Sequence, residues 1–160
     1  MIKLKVIALG RLKEKYLRDA VDEYVKRLSA YAKTEIAEIE PVRLSDNPSD
    51  AEIEKALEGE AEQIIKKIPE GALVTVMCIE GKQYSSEAFH KVLNKHILNG
   101  TSTLVFIIGS SYGLSDKIKA MADIKLSFSE MTFPHQLFRV MLLEQIYRSF
   151  KIGEGSKYHK

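Results

Sequence analysis

The chain of 160 residues has the composition of an ordinary globular protein, with 45% hydrophobic and 29% charged residues, and it is long enough for one domain with a substantial core. Its formal net charge of +2 is only mildly basic, so an RNA partner is permitted but not required. The single cysteine, Cys78, excludes a disulfide within the chain and a cysteine-based zinc site, and no apolar run approaches the roughly 20 residues that span a bilayer.

The first half of the chain alternates predicted strands and helices. Residues 2–9 alternate apolar side chains with lysines, which indicates a strand, and apolar residues at helical spacing predict an amphipathic helix over 13–29. A second, weaker strand is expected at 34–42. A polar loop follows, and Ser49 with Glu52 matches a capping box at the start of the next amphipathic helix.

The second half continues the alternation with more strongly apolar strands. The runs 72–79 and 103–108 are almost entirely apolar, which is typical of strands covered on both faces. The segment "EGKQYSS" is interpreted as a turn after the first run, and a helix over 87–98 lies between the two. A short helix at 116–121 and a short strand at 124–128 come next.

This alternation predicts an α/β protein with a mainly parallel sheet flanked by helices, in a single domain. In such sheets ligands bind beyond the carboxyl ends of the strands. Three segments occupy that position: the turn after Ile79, the glycine-rich "GSSYG" at 109–113, and the loop after Phe128. The sequence therefore predicts one site made of three loops.

The last predicted helix, residues 134–150, carries apolar side chains almost all the way round, which indicates burial on nearly every side. A second copy of the chain is the expected cover, so we predict a homodimer, with insertion deep into the chain's own fold as the alternative. Glu144 and Arg148 stand four residues apart. They either pair with each other, or Arg148 leaves to meet a phosphate or carbonyl.

The histidines and the cysteine show no metal-binding spacing. Cys78 is expected to be an inert buried thiol. His90 and His96 lie on a charged helix and are expected to be solvated. His135, at the start of the last helix, is interpreted as a hydrogen-bonding residue near the helix cap.

The chain ends in "GSKYHK", where Tyr158 and His159 stand among lysines. Such a terminus is either a solvated tail or a tail that docks on a surface. Aromatic and basic side chains together suit a nucleobase and its phosphates. Motifs of hydrolases, such as a serine nucleophile elbow, do not occur in the sequence.

Four segments resemble the RlmH family of SPOUT methyltransferases: "GRLKEKYLRDAVDEYVKRL", "IIGSSYGLS", "LSFSEMTFPHQLFRVMLLEQIYRSFKI" and the terminal "YHK". The resemblance covers essentially the whole chain. It implies a cytoplasmic homodimer with no metal and no membrane association, whose C-terminal part is tied in a trefoil knot. It also implies methyl transfer from S-adenosyl-L-methionine to N3 of a pseudouridine in a 23S rRNA hairpin of the large subunit, on assembled ribosomes.

The resemblance further implies roles for particular residues. The cofactor-binding residues would be Met77, Gly109, Phe128, Ser129, Glu130, Met131, Thr132 and Phe133, with the side chain of Glu130 pointing away from the cofactor. Arg148, Tyr158 and His159 would be the substrate-side and catalytic residues. The chain departs from the usual family pattern at Cys78 and Ser110. A SPOUT enzyme that modifies tRNA and a ribosome-binding factor without catalysis are the alternatives.

Overall fold

The structure is a computed structural model that describes residues 1–159. Its strands are β1 (Ile2–Leu9), β2 (Ala32–Ile39), β3 (Leu73–Gln83), β4 (Thr103–Ile108) and β5 (Ile124–Ser127). Its helices are α1 (Lys15–Leu28), α2 (Asp50–Lys67), α3 (Ser86–Leu98), α4 (Asp116–Met121) and α5 (His135–Gly153). The predicted order of elements and the α/β class are confirmed.

The five strands form one sheet in the order β2-β1-β4-β3-β5, and every pairing is parallel. The first strand is therefore internal, with a neighbour on each side: Val6 lies opposite Ile36 of β2 and Phe106 of β4. Because all strands run the same way, their carboxyl ends share one edge of the sheet. The last part of β3 and the loops that follow β4 and β5 meet at this edge.

Helices cover both faces of the sheet. Helices α1, α3 and α5 pack on one face, and α2 and α4 on the other. Along β4, Leu104, Phe106 and Ile108 face the first group, whereas Val105 and Ile107 face the second. This two-sided burial explains why the strand reads as a continuous apolar run.

Serine caps begin three of the helices. The Ser49 hydroxyl accepts a hydrogen bond from the Glu52 amide while the Glu52 carboxylate accepts one from the Ser49 amide, so the predicted capping box is present. Ser85 caps α3 and Ser115 caps α4 in the same way, each accepting an amide three residues later. These local signals fix where the helices start beside the sheet.

The predicted turn after the third strand is wrong, because β3 continues to Gln83. Its pairing with β5 shifts register between Met77 and Lys82, and both residues face Leu126. The residues between them bulge out of the ladder. A Cβ on Gly81 would lie 2.8 Å from the backbone carbon of Leu126, so the bulge accepts only glycine there. The sequence predicted a turn here because the last residues of this strand, 80–83, are polar and include a glycine.

Helix α5 extends three residues beyond the predicted end at Phe150. One face packs against α1 and α3, and its buried members are Arg139, Leu142, Leu143, Ile146 and Ser149. The opposite face keeps partly exposed apolar side chains, and Leu137 is 43% exposed. The helix is therefore not inserted deep in its own fold. No helix within residues 1–159 has the length and apolarity needed to cross a membrane.

Candidate functional site

A cavity of about 710 Å³ opens at the carboxyl edge of the sheet, between β3, β4 and β5. Its walls are the bulge at the end of β3, the loop 109–113, and the segment 127–135, with Lys119 of α4 and Phe138 of α5 beside them. The three segments that the sequence assigned to one site therefore surround one cavity, although the first of them is a bulge within β3 and not a loop.

The β3 bulge supplies the first wall through Met77, Cys78, Ile79 and Glu80. Cys78 is half-buried, packing partly against the core and also lining the cavity, so the expectation that this thiol is buried holds only in part. Burial and the nearby Glu80 carboxylate raise the pKa of the Cys78 thiol. The thiol is therefore held in its neutral form, which is less nucleophilic than a thiolate.

The loop 109–113 forms the second wall and turns so tightly that its first position requires glycine. The Gly113 amide donates to the Ser110 carbonyl at 2.8 Å, which closes the turn. A Cβ on Gly109 would lie 2.5 Å from the Gly113 oxygen and 2.8 Å from Leu114 Cγ. The wall is consequently backbone, with amides and carbonyls that a ligand can approach closely.

A buried carboxylate supports this loop from behind. Glu60 of α2 is only 4% exposed, and it accepts hydrogen bonds from the Val42 amide at 3.0 Å and from the Ser110 hydroxyl at 3.4 Å. Burial raises the pKa of Glu60. Sequence reasoning missed this residue because it stands among exposed acids on an amphipathic helix, where nothing marks one of them as buried.

The third wall is a segment that its own serines hold in shape. The Ser127 hydroxyl donates to the Ser129 carbonyl at 3.1 Å, and the Ser129 hydroxyl accepts the Met131 amide at 3.0 Å. Such local bonds favour a turn over continuation of the strand. They account for the small polar residues between β5 and α5.

Aromatic side chains make this wall apolar. The rings of Phe128 and Phe138 lie 4.8 Å apart, and those of Phe133 and Phe138 lie 6.3 Å apart. His135 also lines the cavity, and its imidazole makes no side-chain hydrogen bond to any residue in the range 1–159. The interpretation of His135 as a hydrogen-bonding residue near the cap is wrong. Pro134 takes the cap position of α5.

Most of the residues proposed to bind the cofactor line this cavity. They are Met77, Gly109, Phe128, Ser129, Met131, Thr132 and Phe133. Glu130 is exposed and does not contribute to the lining. The cavity also holds an ion pair that the sequence did not indicate: the Lys119 ammonium lies 2.5 Å from a carboxylate oxygen of Glu80.

Arg148, Tyr158 and His159 form a second cluster. The Arg148 guanidinium donates to Glu144 at 2.9 Å, so the predicted helical pair forms. The Tyr158 hydroxyl donates to the other oxygen of Glu144 at 2.8 Å. The His159 ring lies 3.2 Å from Arg148 through Nδ1 and 2.6 Å from Glu87 through Nε2. The tail therefore docks on α5 and α3.

Ring packing also holds the tail. The Tyr158 ring lies 5.1 Å from the ring of Tyr147, and the Arg148 guanidinium carbon lies 4.9 Å from the centroid of the Tyr158 ring. Burial and the Glu144 carboxylate raise the pKa of Tyr158, which keeps the phenol protonated as a donor. With Arg148 donating to Nδ1, the proton of His159 is assigned to Nε2, where it is donated to Glu87.

The two sets of proposed site residues are apart within one chain. Arg148, Tyr158 and His159 do not line the cavity. Helix α5 connects the two regions, because Phe138 stands at the cavity and Arg148 at the tail. Ten residues of helix correspond to about 15 Å along the axis. One chain thus presents a cavity and, separately, a cluster of arginine, tyrosine and histidine.

Two other expectations concern histidines and metals. His90 is not simply solvated: its Nδ1 lies 3.2 Å from the Ser149 hydroxyl and links α3 to α5. Among residues 1–159, no group of three or more His, Cys, Asp or Glu side chains is arranged to hold a metal ion.

Comparison with known proteins gives consistent matches. Residues 2–159 match the family described as "Predicted SPOUT methyltransferase". A ribosomal RNA large subunit methyltransferase H from Streptococcus pneumoniae (strain CGSP14) is 47% identical over 159 residues, covering 99% of this chain and 100% of that protein. A protein of Methanococcus maripaludis (strain C5), provisionally given the same name, is 50% identical over 157 residues, covering 98% and 99%.

One solved structure adds a likeness of fold. The structure of a probable methylase family protein from Haemophilus influenzae Rd KW20 superposes with a TM-score of 0.52 at 10% identity, covering 99% of this chain and 70% of that chain. At this identity the likeness concerns the fold alone.

Proposed function

Because the chain belongs to the SPOUT methyltransferase family, and its relatives include ribosomal RNA large subunit methyltransferase H proteins, we propose that it is a cytoplasmic rRNA methyltransferase. In this proposal the methyl donor is S-adenosyl-L-methionine. The acceptor is N3 of a pseudouridine in a 23S rRNA hairpin on assembled ribosomes.

The observation that carries this proposal is the cavity between the three strand ends. Its volume of about 710 Å³ lies within the roughly 300–1,000 Å³ typical of small-molecule sites. The turn at Gly109 brings backbone groups to the surface of the cavity, where they suit the polar edge of an adenine. Phe128 and Phe133 provide apolar surface for its ring faces.

When bound, S-adenosyl-L-methionine supplies an electrophilic methyl group on a sulfonium. The residues of the cavity then have mainly to bind and orient the two reactants, and holding reactants in the right geometry lowers the barrier of such a displacement. Cys78 stays protonated at the wall, because its pKa is raised, and so does not compete with the RNA base for the methyl group.

The cluster of Arg148, Tyr158 and His159 serves the RNA in this proposal. N3 of a pseudouridine carries a proton that must leave, and histidine is the side chain suited to accept a proton near neutral pH. His159 takes that proton, Arg148 stabilises negative charge on the neighbouring base oxygen, and Tyr158 stacks on or orients the base. The mutual contacts of the three residues support a common role.

The proposal includes a homodimer and the C-terminal trefoil knot that the family resemblance implies. Two features of the chain support the dimer. The outer face of α5 keeps apolar side chains partly exposed, and the tail cluster lies away from the cavity of its own chain. In a dimer, the tail of one subunit would complete the cavity of the other.

The decisive experiment is incubation of the protein with labelled S-adenosyl-L-methionine and ribosomes that lack the modification, followed by nucleoside analysis of the 23S rRNA. We expect label in 3-methylpseudouridine. Label in tRNA instead would identify a different SPOUT enzyme. Binding to ribosomes without methyl transfer, and without a calorimetric signal from S-adenosylhomocysteine, would identify a binding factor.

A further inference from the structure

The ion pair between Glu80 and Lys119 belongs to the cavity wall and has no part in the mechanism described above. Glu80 comes from the β3 bulge and Lys119 from α4, and both line the cavity. Their charged atoms are 2.5 Å apart, with side chains 56% and 25% exposed respectively. Contact with the Lys119 ammonium lowers the pKa of Glu80, so this carboxylate is charged at neutral pH.

The cavity is chemically different on its two sides. Phe128 and Phe138 pack with the core cluster on the α5 face of the sheet. Helix α4, which carries Lys119, packs on the opposite face through Ile118. An apolar aromatic side and a side with two opposite charges thus meet across the same opening.

A methyl donor of the proposed kind has the same two-part chemistry. One end is a purine, and the other is an α-amino acid with an ammonium and a carboxylate on the same carbon. We propose that Glu80 and Lys119 bind this amino-acid end, with Glu80 accepting from the ammonium and Lys119 donating to the carboxylate. This assignment rests on the proposed function. It adds to that function the two residues that bind a ligand with the amino-acid end more tightly than a nucleoside that lacks it.

The free protein is preorganised for this exchange. Glu80 and Lys119 neutralise each other, so the empty cavity carries no uncompensated charge at this point. When a zwitterion enters, its ammonium takes the place of Lys119 beside Glu80, and its carboxylate takes the place of Glu80 beside Lys119. Positive and negative groups then alternate around the set of four charges. Lys125 on β5 is the other charged group that acts on Glu80, and it adds positive charge on the same side. The outer, solvent-facing position of Glu80 lets the pair open without exposing the core.

The test compares two ligands on the intact protein by calorimetry. S-adenosylhomocysteine has the amino-acid end, and 5′-methylthioadenosine lacks it. In the double variant Glu80→Gln/Lys119→Met we expect the affinity for S-adenosylhomocysteine to fall roughly tenfold, as for the loss of charge-assisted hydrogen bonds. The affinity for 5′-methylthioadenosine should stay within about twofold of the parent value.

The matched control is Lys117→Met, which removes an exposed lysine from the same helix away from the cavity. It should bind both ligands as the parent does, and thermal unfolding should show all variants folded. Equal weakening for both ligands would make the ion pair a support of cavity shape and overturn the assignment. No change for either ligand would overturn it too. A parent protein that binds neither ligand would instead refute the proposed function.

Discussion

The guanidinium of Arg148 lies 3.2 Å from Nδ1 of His159, and Glu87 occupies the other ring nitrogen of the same histidine at 2.6 Å. In this arrangement neither nitrogen of His159 is free to accept a proton. In the proposed mechanism, the docked tail is therefore a resting arrangement. For His159 to act as the proposed base, Arg148 has first to turn from it, and the negative charge that develops on the RNA base would give Arg148 a new partner.

The role of His159 as proton acceptor is tested by His159→Ala. We expect single-turnover methylation to slow by about 10²–10⁴-fold, the usual contribution of a general base. The affinity for S-adenosylhomocysteine should not change, because the proposed partner of His159 is the RNA base and not the cofactor. The matched control is His96→Ala on α3. Unchanged methylation in the first variant, with cofactor binding intact, would remove His159 from the mechanism.

Sharing of the site between subunits is tested by mixing two inactive variants, one lacking residues 156–160 and one carrying Gly109→Ala. If each tail serves the partner's cavity, mixed dimers contain one site with both parts intact. Random reassortment then restores about a quarter of the parent rate, since half the dimers are mixed and each has one working site. If activity does not return although mixed dimers form, each site is contained in one subunit.

The surroundings of two glycines predict opposite effects of their replacement by alanine on the stability of the protein. Gly109→Ala places a Cβ 2.5 Å from the Gly113 oxygen, so the turn must shift, and we expect lost binding of S-adenosylhomocysteine and about 1–3 kcal/mol of lost stability. Gly59→Ala lies inside α2, where its Cβ meets Val42 at an ordinary 3.6 Å. It should stabilise the protein by about 0.5–1 kcal/mol. Urea unfolding and calorimetry measure both, and tolerance of alanine at position 109 would contradict the turn geometry.

The buried Glu60 predicts a change in the pH dependence of stability. Because its folded-state pKa is raised, the folded protein binds the proton more tightly than the unfolded chain. The resulting stability is complete below the unfolded pKa of about 4.5 and is lost as pH rises through the folded pKa. The free energy of unfolding of Glu60→Gln should therefore improve relative to the parent between pH 4 and pH 7.

The control for this series is Glu62→Gln, an exposed glutamate on the same helix. Its difference from the parent should stay constant over the same range of pH. A constant difference for Glu60→Gln as well would show that Glu60 does not retain its proton on folding.

The structural features that depend on residues close together in the chain were the ones best predicted from the sequence. The capping box at Ser49 is an interaction over three positions, and the buried runs of β3 and β4 mark themselves by continuous apolar character. The meeting of the three predicted segments at one cavity was also predictable, because parallel strands bring their carboxyl ends to one edge, but the form of the first segment, a bulge within β3, was not. The resemblance to a family then supplied roles for residues that periodicity alone does not distinguish.

The features that were missed all depend on partners distant in the chain. Arg139 reads as one polar position on an apolar helix, yet it is buried and donates to Glu38 at 2.7 Å and to the Gly10 carbonyl at 3.2 Å. The ion pair of Glu80 with Lys119 likewise joins two elements. Side-chain polarity is visible in a sequence, but burial and pairing across the fold are not.

The position of β1 also has a consequence for how the protein folds. This strand is the first of the five along the chain, but one of its two neighbours is β4, so that Lys3 pairs with Thr103. An internal strand whose partner is so remote cannot complete its hydrogen bonds until that distant part of the chain is available, and closing such long loops slows folding. Until then one edge of β1 is open to unwanted pairing. The cavity likewise needs residues from Met77 to Phe138, so it cannot be complete before all of that part of the chain is available.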